Sequence, residues 1–371
     1  MEQEPKYQRV IDWVRENIEI GAFHPGDRLM SEMDMSELFG LSRQTIRRAT
    51  GELVNEGVLT RIQGSGTYIG EAAGPSQRAE RYKSIAVIST FYDSYIFPKT
   101  LMGIEKELSA AGYTMQVSFT DNRITREAAI LEQILEKDSV DGVIVEPAKS
   151  ALPNPNLHFY RELQSRNIPV LFFHASYHGL DAPCVRMDDR GIAEKITNVL
   201  IDAGHKEIAG IFKIDDGQGP LRYAGYLDAL MQKKLHVSQH HVFWVDTPLS
   251  HHLADLEEYL LKRIEGCTGV VCYNDDIAYQ LIGIADKRGI RIPEDLSVTG
   301  IDDSVPTGIK NISLTSVPHP KELLGRKVAG NMLAMIEDPC FDGNFLFDAE
   351  PVLRDSVRTI RDQDTVVKLQ L

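Results

Sequence analysis

Residues 31–49 of the chain, SEMDMSELFGLSRQTIRRA, predict two short helices that meet at a tight turn. Ser31 and Ser42 can cap the two helices, because a serine hydroxyl accepts a hydrogen bond from an amide that the first helical turn leaves free. Gly40 can end the first helix, because glycine adopts the left-handed conformation that follows many helices. The apolar positions of the second helix, which we predict from Arg43 to Asn55, recur at helical spacing at Ile46, Ala49 and Leu53.

The segments on either side of this helix pair complete a recognisable arrangement. A helix is predicted before it, from about Tyr7 to Ile20, and two strand-like runs are predicted after it, at 58–62 and 67–69. Gln63-Gly64-Ser65-Gly66 joins the two runs as a glycine-rich turn. Two helices at a tight turn followed by a hairpin form a winged helix-turn-helix, which predicts a DNA-binding unit.

The outward face of the second helix carries residue types that read DNA. Arg43, Gln44, Arg47 and Arg48 lie off its apolar stripe. Arginine can donate two hydrogen bonds to guanine, and glutamine can pair with adenine in the major groove. The alternative is a small helical domain whose surface arginines are solvated. Residues 41–63 hold four arginines against two glutamates, whereas residues 1–81 hold ten basic against thirteen acidic residues, so the local positive charge favours DNA binding.

The composition of the whole chain excludes several classes of protein. Its 371 residues predict two or three domains at about 150 residues each. No apolar run approaches the ~18 residues of a membrane span, and the first twenty residues lack the apolar core of a signal peptide. The net charge of −14 argues against a protein that coats nucleic acid without sequence preference, and the four cysteines form no disulfide framework. We therefore expect a cytoplasmic protein with no membrane partner.

Beyond about residue 80 the pattern changes to strands that alternate with helices. Residues 71–83 predict a linker between a DNA-binding domain at 1–70 and a second domain at 84–371, because they are mostly small, polar and interrupted by proline. Alternating strands and helices predict an α/β domain with a mainly parallel sheet. The predicted strands are Ile85–Ser89, Met115–Phe119, Gly142–Val145, Val170–Phe173, Ile208–Phe212, Val270–Cys272 and Leu296–Ile301.

Polar or aromatic side chains follow nearly every one of these strands. In a parallel sheet the carboxyl ends of the strands form the edge at which ligands bind. Each side chain also has a structural explanation, as a strand-end histidine, a rim salt bridge or a helix cap. Their recurrence at one edge favours a ligand site. The residues that we expect there are Tyr95, Phe97, Glu146, Lys149, His174, Tyr177, Asn274, Asp275 and Asp302.

The sequence lacks the motifs of the common enzyme and metal-site classes. It has no phosphate-binding loop, no dinucleotide fingerprint, no serine-hydrolase elbow and no His-Glu-x-x-His zinc motif. The acidic pairs Asp275-Asp276 and Asp302-Asp303 resemble a magnesium site, but no phosphate loop accompanies them. We therefore predict a protein that is not an enzyme and that holds no metal and no cofactor.

Residues 5–70 resemble the winged-helix domain of the GntR family. The motifs that carry the resemblance are PGDRL, the segment 31–49, LVNEGVL and QGSGTYI. The resemblance implies a homodimer on a pseudo-palindromic operator, with contacts from the second helix and the hairpin. Many members have Pro-Ser-Glu-Arg where this chain has Met30-Ser31-Glu32-Met33, so the usual arginine is missing and Glu32 becomes a candidate for reading a base. The implied DNA-binding residues are Lys6, Glu32, Arg43, Gln44, Thr45, Arg47, Gln63 and Gly64.

Residues 84–360 resemble the effector domain of the LacI/GalR family, which is built like a periplasmic sugar-binding protein. The motifs include VDGVIVEP, LIDAGHKEIAGI, RYAGYLDAL, VVCYNDDIA and RIPEDLSVTGIDD. The resemblance implies two lobes with mainly parallel sheets around an effector that Arg222, Asn274 and Asp302 contact. His319, two residues beyond the motif LTSV, is a further candidate. Residues 71–82 do not match a LacI hinge helix, so insertion of such a helix into the minor groove is not implied.

A GntR-type head on a LacI/GalR-type body is an uncommon pairing, and it is similar to the arabinose repressors of Gram-positive bacteria. The similarity implies a repressor of sugar-use genes that L-arabinose releases from double-stranded operator DNA. One alternative is the same repressor architecture with another pentose, a hexose or a purine as effector. The other alternative is a cytoplasmic sugar-binding protein or a sugar enzyme. The winged helix at residues 5–70 argues against the binding protein and against the enzyme.

Overall fold

The computed structural model describes residues 7–62, 65–70, 82–92, 95–304 and 313–360. The chain divides into two compact units, Met1–Arg81 and Tyr82–Leu371. Three of the predicted DNA-binding residues, Lys6, Gln63 and Gly64, lie outside the described residues, as does most of the predicted linker at 71–83.

The first unit is a three-helix core with a two-stranded antiparallel hairpin. Its elements are α1 (Gln8–Glu19), α2 (Glu32–Phe39), α3 (Arg43–Asn55), β1 (Leu59–Ile62) and β2 (Gly66–Ile69). Ser31 and Ser42 each accept a hydrogen bond from an amide of the helix that follows, so both predicted caps are formed. Gly40 ends α2 with a φ of 63°. The predicted winged helix-turn-helix is therefore confirmed.

The second unit begins with a lobe built on a six-stranded parallel sheet. Its strands are β3 (Ser84–Ser89), β4 (Thr114–Phe119), β5 (Gly142–Val145), β6 (Val170–Phe173), β7 (Cys184–Met187) and β13 (Phe345–Phe347), in the order β13-β7-β6-β5-β3-β4. Its helices are α4 (Phe97–Ala110), α5 (Ile124–Lys137), α6 (Leu157–Ser165) and α12 (Lys321–Glu337). Strands β3, β5 and β6 are buried along their whole length, which explains why they read as continuous apolar runs.

A second lobe is built on a five-stranded parallel sheet. Its strands are β8 (Ile208–Lys213), β9 (Val242–Val245), β10 (Gly269–Cys272), β11 (Ser297–Asp302) and β12 (Thr315–Pro318), in the order β12-β11-β10-β8-β9. Its helices are α7 (Asp189–Asp202), α8 (Gln218–Gln232), α9 (Thr247–Ser250), α10 (Glu257–Ile264) and α11 (Asp275–Lys287). Four short strands, β7, β9, β12 and β13, have no counterpart among the predicted strands, because most of them contain polar or partly exposed side chains that obscure the apolar pattern.

Within the described residues, the chain passes between the two lobes three times. It crosses after β7, returns after β12, and crosses again after β13, where Val352 then forms a β-bridge with Ser316 of the second lobe. These strands lie at or next to one end of their sheets, β7 and β13 in the first lobe and β12 in the second. The three connections therefore form a hinge along one side of the unit. The predicted two-lobed α/β architecture with parallel sheets is confirmed.

Helices α4 and α12 of the first lobe pack closely against each other. A Cβ atom at Gly103 would lie 2.3 Å from the carbonyl oxygen of Glu322, and one at Gly325 would lie 2.1 Å from that of Thr100. Only glycine allows the two backbones to approach this closely. Because α4 begins at Phe97 and α12 begins two residues after His319, this packing positions two of the predicted effector-binding residues. No helix in the described part of the chain is both long and apolar enough to cross a membrane.

Candidate effector site and DNA-binding surface

A cavity of about 700 Å³ lies between the two lobes of the second unit, lined by residues that follow the strands of both sheets. A volume of this size holds one small ligand. The structure brings together in its wall eight of the residues predicted to bind the effector: Tyr95, Phe97, Glu146, His174, Arg222, Asn274, Asp302 and His319. That these side chains bind an effector stays a prediction.

Arg222 is a buried cation of the cavity wall, with an exposed fraction of 3%. Its Nε donates to Asp189 Oδ1 at 2.8 Å, and its Nη1 donates to the carbonyl oxygen of Tyr273 at 2.6 Å. Its Nη2 lies 3.6 Å from Asp302 Oδ1. Burial raises the pKa of Asp189, although the charge of Arg222 opposes the rise. One guanidinium is thus shared between two buried carboxyl groups, with donors left to turn toward a ligand.

Four buried polar atoms of the cavity wall have no hydrogen-bond partner among the described residues: Asp189 Oδ2, Asp302 Oδ1, His174 Nε2 and His319 Nδ1. A buried polar atom without a partner costs about 1 to 3 kcal/mol. Their presence in one wall is therefore explained if a ligand supplies the partners. Two of the four are carboxyl oxygens, which accept hydrogen bonds from hydroxyl groups when ionised.

The two histidines contact each other edge to face, with ring centroids 5.1 Å apart. His174 Nδ1 lies 2.9 Å from Glu146 Oε1, while Glu146 Oε2 accepts from the amide of Thr90 at 2.8 Å. Burial alone would raise the pKa of Glu146, but these hydrogen bonds from His174 and Thr90 lower it. The Glu146 carboxylate accepts a hydrogen bond from His174 Nδ1, so Nε2 is the ring nitrogen left for a ligand. Burial keeps the pKa of His319 well below its usual value, so His319 is neutral.

Three residues of the cavity wall have a left-handed backbone, Tyr95 with a φ of 63°, His174 with 64° and Asp302 with 102°. Non-glycine residues in sparsely populated backbone regions cost about 1 to 3 kcal/mol each and cluster at ligand sites. The Tyr95 hydroxyl donates across the lobes to Asp302 Oδ2. The strained backbone is thus part of the arrangement that points these side chains at the cavity.

Three predicted effector-binding residues, Lys149, Tyr177 and Asp275, do not belong to the cavity wall. The ammonium group of Lys149 forms an ion pair with Asp215. The hydroxyl of Tyr177 donates to the buried Glu127 at 2.5 Å, which turns the ring into the core of the first lobe. Asp275 accepts hydrogen bonds from an amide and a hydroxyl of its own lobe. Each of these three side chains has its polar group satisfied inside the protein.

Several residues of the wall were absent from the predicted set. Lys213 ends β8, one residue beyond the predicted strand, and pairs with Asp216 at 2.6 Å. Asp189 lies in the first turn of α7 and gives no signal of its own beside a possible helix cap. The missed residues with polar or aromatic side chains include Asp189, Lys213, Asp216, Gln218, His251 and Tyr273. Among the described residues no group of three or more His, Cys, Asp or Glu side chains is arranged to hold a metal ion.

In the first unit, the predicted DNA-binding residues of α3 lie on its surface. Arg43, Gln44 and Arg47 are exposed, and Thr45 is half-buried. Glu32, at the start of α2, accepts hydrogen bonds from Arg47 at 2.9 Å and from Arg61 of β1 at 3.2 Å. The Glu32 carboxylate therefore links α3, the helix that we predict to enter the major groove as the recognition helix, to the hairpin. Base reading by Glu32 stays a prediction, and in the structure its carboxylate is shared by two arginines.

Comparison with known proteins bears on both units. Residues 6–69 match the bacterial regulatory proteins of the gntR family, and residues 197–357 match a periplasmic binding protein-like domain. The arabinose metabolism transcriptional repressor of Halalkalibacterium halodurans is 34% identical over 98% of this chain and 100% of its own length. The repressor of the same name from Geobacillus stearothermophilus is 33% identical over 96% of this chain and 98% of its own length. The chain belongs to this repressor family.

A solved structure supports the same assignment for the fold. The transcription regulator CcpA of Lactococcus lactis matches with a TM-score of 0.66 and 26% identity, over 74% of this chain and 99% of that one. The predicted pairing of a GntR-type head with a LacI-type body is confirmed. The chain is a sugar-responsive transcriptional repressor, and its relatives are named as transcriptional repressors rather than enzymes.

The buried carboxyl group of Asp275, which lies beside the cavity, makes the stability of this repressor depend on pH. Burial raises the pKa of Asp275 to about 8, although the Ser316 hydroxyl that donates to it opposes the rise. A carboxyl group whose pKa is higher in the folded than in the unfolded protein takes up a proton on folding. Its contribution to stability is therefore complete below about pH 4 and is lost as the pH rises through about 8.

We expect Asp275→Asn to flatten this dependence, because the amide does not titrate. The difference in slope is at most about 1.4 kcal/mol per pH unit. Urea unfolding of both proteins at several pH values between about 5 and 8 measures it. An unchanged slope in the variant would assign the pH dependence to other groups.

Proposed function

We propose that the repressor acts as a homodimer on a pseudo-palindromic operator of arabinose-use genes, and that L-arabinose bound in the cavity between the lobes releases it. The observation that carries the proposal is the set of four unpartnered polar atoms in one wall of a cavity of about 700 Å³. The names of the two relatives that match nearly the whole chain support arabinose as the sugar. Another pentose, a hexose or a purine as the effector is the alternative.

The charges of the cavity wall favour a neutral ligand rich in hydroxyl groups. Arg222 is already shared by Asp189 and Asp302, and Lys213 is paired with Asp216. A phosphorylated sugar would bring a dianion next to carboxyl oxygens that have no free cation beside them, and like charges in a low-dielectric site repel strongly. A free pentose instead supplies hydroxyl donors to these oxygens. The charges of the cavity wall therefore support an unphosphorylated sugar over a sugar phosphate.

Release of the operator follows from contacts that the two lobes make with one ligand. Glu146 and His174 belong to the first lobe, whereas Arg222 and Asp302 belong to the second. A sugar that touches both lobes binds the closed arrangement better than the open one, and only this difference in affinity can shift the population. In a dimer whose DNA-binding units precede the first lobes in the chain, closure changes the spacing of the two recognition helices. Half-sites one helical turn apart, at about 34 to 36 Å, do not tolerate such a change.

We expect saturating operator DNA to weaken L-arabinose binding by the same factor by which L-arabinose weakens operator binding. A coupling of about 1 to 3 kcal/mol corresponds to a factor of about 5 to 150. Calorimetric titration of the full chain with L-arabinose, with and without operator, measures it. Duplex DNA of scrambled sequence is the control. Identical sugar affinities in the presence and absence of operator would contradict the release mechanism.

The same titration identifies the effector. D-arabinose, D-xylose, D-galactose, hypoxanthine and arabinose 5-phosphate form a panel that covers the alternatives, and the phosphate tests the charge argument. Binding of another member in place of L-arabinose would leave the repressor architecture intact and replace the ligand. Tight binding of the sugar phosphate would contradict the argument from the wall charges.

A further inference from the structure

A group of hydrogen bonds joins the two lobes at the side of the unit that lies away from the hinge. The connections between the lobes leave from β7 and β13 in the first sheet and from β12 in the second. Strands β4 and β9 lie at the opposite ends of these sheets. The segments that directly follow β4 and β9 carry two residues that contact each other, Asn122 and Thr247.

Asn122 is the centre of this contact, and it is buried, with an exposed fraction of 1%. Its Nδ2 donates across the lobes to Thr247 Oγ1 at 2.6 Å and to Asp216 Oδ1 at 3.0 Å. Its Oδ1 accepts from the backbone amide of Lys149 at 2.6 Å. The amide nitrogen of Asn122 thus donates to the other lobe, and its oxygen accepts from its own lobe.

Two further contacts surround Asn122. The Lys149 ammonium pairs with Asp215, whose Oδ2 also accepts from the amide of Thr247 at 2.9 Å. The Ser150 hydroxyl accepts from the amide of Gly217 at 2.8 Å. We call this set the latch: Asn122, Lys149 and Ser150 from the first lobe, with Asp215, Asp216, Gly217 and Thr247 from the second.

The position of the latch makes it sensitive to opening of the cleft. Four strand spacings separate β7 from β4 in the first sheet, and four separate β12 from β9 in the second. At about 4.8 Å per spacing the latch lies roughly 19 Å from the hinge, where a rotation of about 10° moves the lobes apart by about 3 Å. Hydrogen bonds as short as those of Asn122 do not survive such a displacement. The latch is therefore formed in the closed arrangement alone.

The latch also adjoins the effector cavity. Asp216 belongs to both, because it lines the cavity and accepts from Asn122 with one oxygen and from Lys213 with the other. Asn122 and Thr247 do not line the cavity. A ligand that contacts Lys213 or Asp216 favours the closed arrangement from inside the cavity. The hydrogen bonds of Asn122 favour the same arrangement from outside it.

We infer that Asn122 is a positioning residue for effector capture, which raises the affinity of the cavity by stabilising the closed arrangement without touching the ligand. The inference rests on the proposed function for the identity of the effector only. Asn122 does not line the cavity, so removing its side chain takes no group out of the cavity wall and acts on the closing equilibrium. Since an affinity measured for a two-state protein contains that equilibrium, the sugar affinity falls with it.

We expect Asn122→Ala to weaken L-arabinose binding about 10-fold, which corresponds to about 1.4 kcal/mol. Thr247→Val removes the partner hydroxyl and should have a similar effect. The double variant should lose less than the sum of the two single losses, because the hydrogen bond between Asn122 and Thr247 is lost in each single variant. Calorimetric titration of the full chain measures all three. Wild-type affinity in both single variants would overturn the inference.

A matched control and a measurement without sugar separate this role from a merely structural one. Asn331 is equally buried, at 3%, but its Nδ2 donates to the Gly343 carbonyl within the first lobe. Asn331→Ala should lower the unfolding temperature and leave sugar affinity unchanged. An equal loss of sugar affinity in Asn331→Ala would show that any buried asparagine has this effect, and would overturn the specific role of Asn122.

The closing equilibrium itself is measured by the distance between spin labels on the two lobes. Labels at Lys137→Cys in α5 and Lys287→Cys in α11, with Cys340→Ser to remove the exposed native thiol, report it in the full chain. Polyethylene glycol, which is excluded from the cleft, favours closure without any sugar. We expect Asn122→Ala to favour the longer distance about 10-fold more than the wild type. If no sugar in the panel binds, the proposed effector is wrong, and this distance still tests the latch. Equal distance distributions in the wild type and in Asn122→Ala would overturn the inference.

Discussion

Arg222→Ala is expected to weaken L-arabinose binding by at least about 100-fold, because two or more hydrogen bonds from a buried guanidinium contribute about 1.5 to 3 kcal/mol each. Operator binding in the absence of sugar should persist, because the DNA-binding unit is a separate compact unit. The variant should therefore repress in the presence of sugar. Calorimetric titration and an operator gel-shift assay with and without L-arabinose measure the two properties.

The loss of the guanidinium also affects stability. Arg222 lies between Asp189 and Asp302, and removing one partner of a buried ion pair costs about 3 to 5 kcal/mol. Arg222→Lys keeps a positive charge between the carboxyl groups but loses the planar fork, so it should fold better and still bind sugar poorly. A folded Arg222→Ala variant that binds L-arabinose as tightly as the wild type would place the effector elsewhere.

Arg190→Ala is the matched control for the loss of charge in the same lobe. Arg190 lies in the first turn of α7, next to Asp189 in the chain, but its side chain is exposed and pairs with Asp228 at 2.6 Å. The substitution removes the same charge without changing the cavity wall. We expect its sugar affinity and its response to sugar to equal those of the wild type.

The sequence predicted the strands of the two lobes well where they are buried on both faces and poorly at the sheet margins. β5 and β6 begin and end at the predicted residues, because continuous apolar runs bounded by turns are hard to misread. β7 and β13 escaped prediction because Arg186 and exposed side chains break their pattern. Two of the three connections between the lobes follow these two strands, so the hinge could not be placed from the sequence.

The positions of residues after the predicted strands indicated which segments reach the cavity but not which side chains turn toward it. Tyr177 follows β6 as His174 does, yet its hydroxyl bonds to Glu127, which lies 50 residues earlier in the chain. Asp189 was missed because its partner Arg222 lies 33 residues later. Such pairs depend on how separate elements pack, so they cannot be predicted from the spacing of residues along one element.

The cavity illustrates a further limit of sequence patterns. The left-handed backbone of Asp302, with a φ of 102°, is unusual for a residue with a side chain. Nothing in the motif around it signals this conformation, since glycine would be the expected residue. The buried contacts of Asp302 with Tyr95 and Arg222 hold the conformation in place. The surrounding fold therefore determines the orientation of this carboxyl group.

Arg47→Ala is expected to abolish specific operator binding while leaving the fold intact. Arg47 is exposed on α3, and Glu32 is the only described polar partner of its guanidinium, so its removal opens no cavity. A well-placed pair of hydrogen bonds to a base discriminates on the order of 10- to 100-fold, and a dimer on a pseudo-palindrome loses this factor at each half-site. A gel-shift assay at physiological salt and thermal unfolding of the same preparation check both parts.

Arg48→Ala separates base reading by Arg47 from a general loss of positive charge. Arg48 lies next in the same helix, but its guanidinium pairs with Glu52 and stacks over Tyr7 at 4.2 Å. A lost phosphate contact weakens binding to all sequences alike and reduces the slope of log affinity against log salt by about 1. A lost base contact instead reduces the ratio of operator to scrambled-sequence affinity and changes that slope little. We expect the second behaviour for Arg47→Ala and nearly wild-type binding for Arg48→Ala, and equal losses on both sequences in Arg47→Ala would show that Arg47 contacts the backbone rather than a base.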